Sequence, residues 1–298
     1  KGTHLIIPQV APHHALFAAI PDDRRIFVMV PWKGYSLLGP TDTDFTGDPA
    51  TVRPEPSDMD YLLAAANRVL SHPIEANRIL GSFAGVRALV MKPDARPSSN
   101  TRGHRFHRDP WAGNIVSVCG GKLTTARALG EKLLDELAQE TGPSHGPSAS
   151  RHPSRQAPLP GGHTGPFDAF VQSSTERASL EYGLPKDVAE RIVRTYGSRW
   201  LLVLDLVKED KAFAELLPGT PTLLAAEVEF AIRHEMAVTV EDFLLRRSGL
   251  NWAACTPLGA EAAPAVARIF AGRYGWDDQR RSAELGNFAK LTTPADRE

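Results

Sequence analysis

Ile115-Val116-Ser117-Val118-Cys119-Gly120-Gly121-Lys122-Leu123-Thr124-Thr125-Ala126-Arg127 packs a strand, a turn and a helix start into one short stretch. The β-branched run from Ile115 to Val118 suits a buried strand, and Gly120-Gly121 permits a sharp backbone turn. From Thr124 the apolar positions Ala126, Leu129, Leu133 and Leu137 recur at helical spacing. A helix that begins this way offers unpaired N–H groups and the positive end of its dipole to whatever lies in front, and Lys122 adds a full charge. An electron-rich group is expected there. The alternative is a well-capped crossover helix covering a sheet; no complete phosphate-loop pattern, Gly-x-x-x-x-Gly-Lys-Ser/Thr, occurs.

The composition around this stretch is ordinary. A chain of 298 residues with 42% hydrophobic content can bury a sizeable core and has room for two domains. With 34 basic and 35 acidic residues, nothing global points to nucleic acid or to an acidic membrane surface, so any anion site has to be local. Cys119 and Cys255 are too few for a disulfide framework or a cysteine-based metal site and read as buried or incidental thiols of a reducing, cytoplasmic compartment. The richest apolar run, Trp200 to Leu204, is far short of the roughly 20 residues a membrane span needs. Peripheral membrane contact stays open. The first residues, Lys1-Gly2-Thr3-His4-Leu5-Ile6-Ile7-Pro8, read as a strand already under way, as though cut from something longer.

Residues 1 to about 55 have the pattern of antiparallel sheet: strands at Leu5-Ile7 and Arg25-Val30, then a turn at Pro31-Trp32-Lys33-Gly34 into Tyr35-Leu38. Asp42, Asp44, Thr46 and Gly47 imitate the start of a calcium loop, but its twelfth position is Arg53 where a bidentate Glu is required, so no metal site is assigned. Ser57 is placed as the cap of a helix whose stripe is Leu62, Leu63, Ala66, Val69 and Leu70. Gly81 to Val90 reads as a strand with Arg87 embedded among apolar neighbours. Such an arginine needs an anionic partner, whether a carboxylate of the fold or a ligand. Lys92 to Arg108 reads as a solvated basic loop in which Arg102 could grip phosphate through its planar fork. Thr141 to Pro166 turns to Pro, Gly, Ser and His and reads as a linker or surface excursion. Beyond it, helices fit Leu184–Tyr196, Trp200–Val207, Thr222–Met236, Thr239–Ser248, Ala260–Tyr274 and Trp276–Leu285, a small bundle.

Several of these segments, in this order and spacing, resemble the C-terminal half of FAD-dependent glycerol-3-phosphate dehydrogenases, of the D-amino-acid-oxidase-like flavoprotein group. The matching residues are Lys1-Gly2-Thr3-His4, Pro31-Trp32, Thr41-Asp42 with Gly47-Asp48-Pro49, Gly85-Val86-Arg87, Gly120 to Thr125, Leu159-Pro160-Gly161-Gly162, Thr195-Tyr196-Gly197, His234-Glu235, and Asp242 with Arg246-Arg247. The resemblance implies an α+β fold: an antiparallel-sheet substrate domain, the C-terminal part of an FAD-binding α/β domain, and an all-α C-terminal domain. The boundaries it suggests are 1–111, 112–140, a linker at 141–166, and 167–298.

It further implies FAD as cofactor, with Gly120, Gly121, Lys122, Leu123, Thr124 and Thr125 against the N1/O2 edge of the flavin. This agrees with the cationic helix tip read from the residues alone. The implied reaction oxidises sn-glycerol 3-phosphate, a phosphorylated polyol, to dihydroxyacetone phosphate and passes electrons to quinone. His4 is the implied base, Arg87 the cation orienting the alkoxide, and Arg102 a phosphate ligand, with Lys122 also near substrate. Contact with the inner face of the cytoplasmic membrane and a homodimer are implied partners. No Gly-x-Gly-x-x-Gly follows a strand here, so the adenine and pyrophosphate half of the FAD site is expected upstream of these residues. The alternatives are an oxidase that uses oxygen, on glycerol 3-phosphate or an amine, and a catalytically silent interaction module.

Overall fold

The computed structural model describes residues 1–20, 25–90, 103–141, 153–250 and 257–292. The chain divides into two compact units, Lys1–Arg78 with Phe83–Ala157, and Ile79–Ser82 with Pro158–Glu298. Strands and helices together make it an α+β protein.

A five-stranded sheet is made by β1 (Gly2–Pro8), β2 (Leu16–Ala19), β3 (Ile26–Trp32), β4 (Tyr35–Gly39) and β5 (Gly81–Gly85), in the order β2-β3-β4-β1-β5, with β1 to β4 in the first unit. β1 pairs antiparallel with β4, Leu5 opposite Leu38 and Pro8 opposite Tyr35. Leu5, Ile6 and Ile7 are all buried, which is why this strand shows an unbroken apolar run rather than alternation. β3 and β4 join through Lys33 and Gly34, both at positive φ, the two-residue turn whose twist matches the strands. The helix α1 (Pro56–Asn67) lies on β1, β3 and β4 and buries Met59, Leu62, Leu63 and Ala66.

Its start differs from the expected one. Glu55, not Ser57, is the cap: Pro56 occupies the first turn, and the Glu55 N–H donates to the Asp58 carboxylate at 3.0 Å. The helix ends at Asn67, so Val69 falls outside it and is exposed.

The stretch at 115–127 also folds differently in detail. Among the described strands β7 (Val116–Gly120) pairs only with β6 (His104–Arg108), and Ile115 and Val118 are exposed where a buried strand was expected. β6 itself lies in the segment read as a loop; its His-Arg-Phe-His-Arg sequence has no apolar face, and the pairing with β7 makes it a strand. Cys119 is exposed rather than buried, and Cys255 lies outside the described residues. A 3-10 turn at Leu123–Thr125 precedes α2 (Ala126–Thr141), along which Leu129, Leu133 and Leu137 are half-buried. β5 stops at Gly85, which leaves Arg87 beyond the strand.

The second unit is helical: α3 (Phe167–Tyr182), α4 (Lys186–Tyr196), α5 (Trp200–Glu209), α6 (Ala225–His234), a π-wound turn at Asp242–Arg247, α7 (Pro257–Tyr274) and α8 (Asp278–Thr292). The helix α3 has no counterpart in the sequence reading: its fully buried positions are Val171, Ser174, Thr175 and Ala178, two of them polar, with Phe170 and Tyr182 partly buried against the same cluster. At the π-wound turn Thr239 Oγ1 accepts from the Asp242 N–H at 3.0 Å while the Asp242 carboxylate accepts from the Thr239 N–H at 3.1 Å, the reciprocal cap its sequence suggests. Two hydrophobic clusters meet at α6, with Ala226 and Phe230 in one and Val228, Ala231 and Ile232 in the other. Buried from Ala225 to Ile232, α6 also carries Glu227 and Glu229 inward, each neutralised, by Arg191 and Arg233.

Leu159 to Gly162 is docked rather than a free excursion: the Gly161 carbonyl accepts from Ser198 N–H at 2.9 Å, and a Cβ on Gly197 would come within 2.1 Å of that oxygen.

Candidate active site

Three polar side chains from distant positions meet at the first residues of β1. After β4 the chain passes Pro40 and runs beside Lys1–Thr3: Thr41 N–H donates to Thr3 O at 3.1 Å, and Thr43 N–H to Lys1 O at 3.0 Å. This puts Asp42 next to Arg87, which follows β5. The Arg87 guanidinium pairs with the Asp42 carboxylate at 3.0 Å and donates to the carbonyls of Lys1 at 3.3 Å and Thr41 at 3.1 Å. The sequence demanded an anionic partner for Arg87, and a carboxylate of the fold supplies one.

His4 projects from β1 beside them, its ring stacked on Phe83 of β5 with centroids 5.1 Å apart and planes within 3°. Glycines clear the space for both groups. A Cβ on Gly39 would lie 2.6 Å from the His4 ring, and a Cβ on Gly2 would lie 2.6 Å from the Arg87 guanidinium. Burial, and then the positive charge of Arg87, push the His4 imidazole below its ordinary pKa. It is therefore neutral at physiological pH and able to accept a proton.

The base of β1 is tied down from α1. Asp58 accepts from Thr3 Oγ1 and Lys1 Nζ, each at 2.9 Å. Burial raises the Asp58 pKa, but hydrogen bonds from Lys1, the Glu55 N–H and Thr3 outweigh this and hold it below the usual carboxylate range. The knot fixes the chain that leads into His4.

The glycine turn makes a second feature of the same unit. Gly120 and Gly121 have φ of +76° and +94°, and a Cβ on Gly120 would stand 2.4 Å from the Gly103 carbonyl. Lys122, Leu123, Thr124 and Thr125 are exposed, and the Thr125 hydroxyl donates back to Lys122 O at 3.0 Å. The first turn leaves N–H groups of Leu123 and Thr124 unused by the helix. Beside it lies a groove of about 490 Å³ lined by Gly103, His104, Gly121, Lys122, Thr125, Ala128, Leu129 and Lys132.

Among the described residues no side chain plugs the tip; two lysines, open donors and an apolar wall suit the anionic edge of a flat heteroaromatic ring. The residues present thus fit a flavin edge. His4 and Arg87 do not line this groove. Arg102 lies outside the described residues. Sequence reasoning gave no role to Lys132 or Phe83, and met Asp42 in a rejected calcium loop and in the Thr41-Asp42 motif without pairing it with Arg87.

Two family models take up most of the chain: residues 1–136 match FAD dependent oxidoreductase, and residues 153–281 match the C-terminal domain of alpha-glycerophosphate oxidase. The chain belongs to the FAD-dependent oxidoreductase family. A glycerol-3-phosphate dehydrogenase of Pseudomonas aeruginosa is 35% identical over 255 residues, 84% of this chain and 48% of the relative. A D-erythritol 1-phosphate dehydrogenase of Brucella abortus is 30% identical over 83% of this chain and 48% of its own length. The crystal structure of the glycerol-3-phosphate dehydrogenase from Bacillus halodurans complexed with FAD matches with a TM-score of 0.82 at 26% identity, covering 100% of this chain and 58% of that one. The chain spans about half the length of the curated relatives it matches.

Proposed function

We propose that this chain is part of an FAD-dependent enzyme that oxidises sn-glycerol 3-phosphate at its C2 hydroxyl to dihydroxyacetone phosphate. The observation that carries the reading is the neutral His4 beside the Arg87 cation, in a family of flavin enzymes whose relatives are named for this substrate. His4 accepts the hydroxyl proton, and Arg87 steadies the negative charge that grows on the oxygen as the proton leaves. FAD, when bound, supplies the acceptor for the hydride. Gly120 to Thr125 hold its pyrimidine edge with open N–H groups and the Lys122 ammonium, and Arg102 grips the substrate phosphate. In this reading residues 1–111 form the substrate side, 112–140 close the FAD-binding domain, 141–166 link, and 167–298 form a helical domain.

Quinone is the electron acceptor in this reading, with the enzyme a homodimer touching the inner face of the cytoplasmic membrane. Among the described residues no helix is long and apolar enough to cross a membrane. A second reading, oxygen as acceptor, is favoured by the match to the C-terminal domain of alpha-glycerophosphate oxidase, and the Brucella abortus relative points to a longer polyol phosphate.

The test is to mix the FAD-loaded enzyme carrying these residues anaerobically with glycerol 3-phosphate and follow bleaching of the flavin absorbance. Arg87→Ala is expected to slow reduction about 10²–10³-fold, the cost of one donor to a developing oxyanion. Readmitting oxygen or a quinone then identifies the acceptor. No bleaching with either glycerol 3-phosphate or erythritol 1-phosphate overturns the reading, and an unchanged rate in Arg87→Ala removes the role given to Arg87.

A further inference from the structure

We propose that Asp42 is a positioning residue of this site, holding the Arg87 guanidinium against the start of β1 so that a fixed, partly balanced cation stands beside His4. The inference rests on the reading of His4 and Arg87 above. It extends that reading to a residue outside the direct chemistry.

The geometry begins with how the guanidinium is used. Arginine has five donor hydrogens in a rigid plane. Nη1 donates to the Asp42 carboxylate and to Lys1 O, and Nη2 donates to Thr41 O. Among the described residues none of these bonds is made by Nε, so Nε–H and the second Nη2 hydrogen are left as a fork along one edge. Three acceptors on the opposite edge fix its direction. Two of them are backbone carbonyls that any sequence supplies, whereas Asp42 is the one acceptor a single substitution removes. Its place is not accidental to the strand, because Thr41 and Thr43 are hydrogen-bonded to Thr3 and Lys1 on either side of it. A Cβ at Gly2 would collide with the guanidinium, so the same cradle is shaped from below.

Charge gives Asp42 a second effect. Phe83 from β5 and Gly39 from β4 pack on the His4 ring, the Arg87 cation acts on it electrostatically, and Asp42 is the carboxylate facing that cation. Lys1, just before β1, is paired with Asp58 of α1 and with Glu55, and the other charge on α1, Asp60, is exposed. Arg87 disfavours the protonated form of His4. Asp42 weakens that field, so its removal makes His4 harder to protonate still.

Asp42→Asn keeps the size of the side chain, removes its charge and leaves only a weaker, neutral acceptor for Arg87. In the FAD-loaded enzyme this variant is expected to slow flavin reduction at saturating glycerol 3-phosphate about 10–100-fold, the scale of a small misplacement of a reacting group. It is also expected to move the acidic limb of the rate to lower pH, which loss of structure alone would not do. In an Arg87→Gln background the same change should cost less than about twofold, because Asp42 acts through Arg87. Asp42→Glu should recover part of the rate.

A parallel measurement needs no turnover: the NMR titration of the His4 ring should shift to lower pH in Asp42→Asn. If glycerol 3-phosphate does not reduce the wild-type flavin, the functional reading fails, and the His4 titration still decides on Asp42. An unmoved titration, or equal costs of Asp42→Asn with and without Arg87, overturns the proposal.

Discussion

Both units hold buried ion pairs, Lys1–Asp58 in one and Arg191–Glu227 in the other, but only the sheet unit has a pair left partly open beside a histidine. In the helical unit Glu227 is fully buried and accepts from Arg191 and from the Leu224 N–H, so it serves as an internal strut between α4 and α6. Arg233 joins the buried Glu229 to Glu209 in the same manner. Around these struts Phe230, Val228, Ile192 and Val203 fill both clusters. In the sheet unit, Arg87 and Asp42 remain about a quarter exposed, His4 is half-buried, and two glycines keep the space above them clear. Struts are satisfied inward and need nothing further. A site must leave donors and acceptors for something else, and it does so at the expense of packing.

Three measurements sharpen or break this contrast. The largest effect is expected from Phe230→Ala. Phe230 is fully buried against Tyr196 and His234, with Arg199 over its ring, so truncation should cost about 3–5 kcal/mol of stability in denaturant unfolding. A loss under about 1 kcal/mol would mean that the helical core is not packed as described.

Next is Gly39→Ala. The added Cβ meets the His4 ring and the Thr3 carbonyl, 2.6 and 2.8 Å away. Overpacking of this kind is expected to cost about 1–3 kcal/mol. Because the ring must move, flavin reduction should fall about 100-fold. If stability falls and the rate does not, Gly39 is a packing glycine only.

The smallest effect is on pH. His4 in the folded chain is harder to protonate than in the unfolded chain, whose histidines titrate near about 6.5. Its contribution to stability is therefore fully present above that pH and is lost as pH falls through the folded value, with a slope no steeper than about 1.4 kcal/mol per pH unit. Asp58, held low, contributes the same way in a lower window: its stabilisation is present above about 4 and is lost as pH falls below. His4→Gln should flatten the upper of these two limbs in unfolding measured between pH 7 and 5. A limb unchanged by the substitution would show that His4 is as solvated as an ordinary surface histidine.

Much of the local structure was legible in the residues. The apolar run of β1, the Lys33-Gly34 turn, the Thr239–Asp242 cap and most helices of the second unit follow from short-range rules, since each depends on neighbours a few positions away. The failures share a cause as well. β6 carries no apolar face and exists through pairing with β7. The fully buried face of α3 includes Ser174 and Thr175, so its apolar periodicity is weak. Among the described strands β7 has a single partner, which leaves it exposed.

The sequence by itself settled that Arg87 requires an anion, that Gly120-Gly121-Lys122 makes a sharp cationic turn, and which family these motifs resemble. These follow from the chemistry of single residues and from spacing along the chain. Only the tertiary structure decided that the anion is Asp42, 45 positions away, that His4 is held neutral beside the same cation, and that Gly2 and Gly39 clear the room for both. Burial and electrostatic fields depend on which distant segments pack together, and a linear sequence does not state those distances.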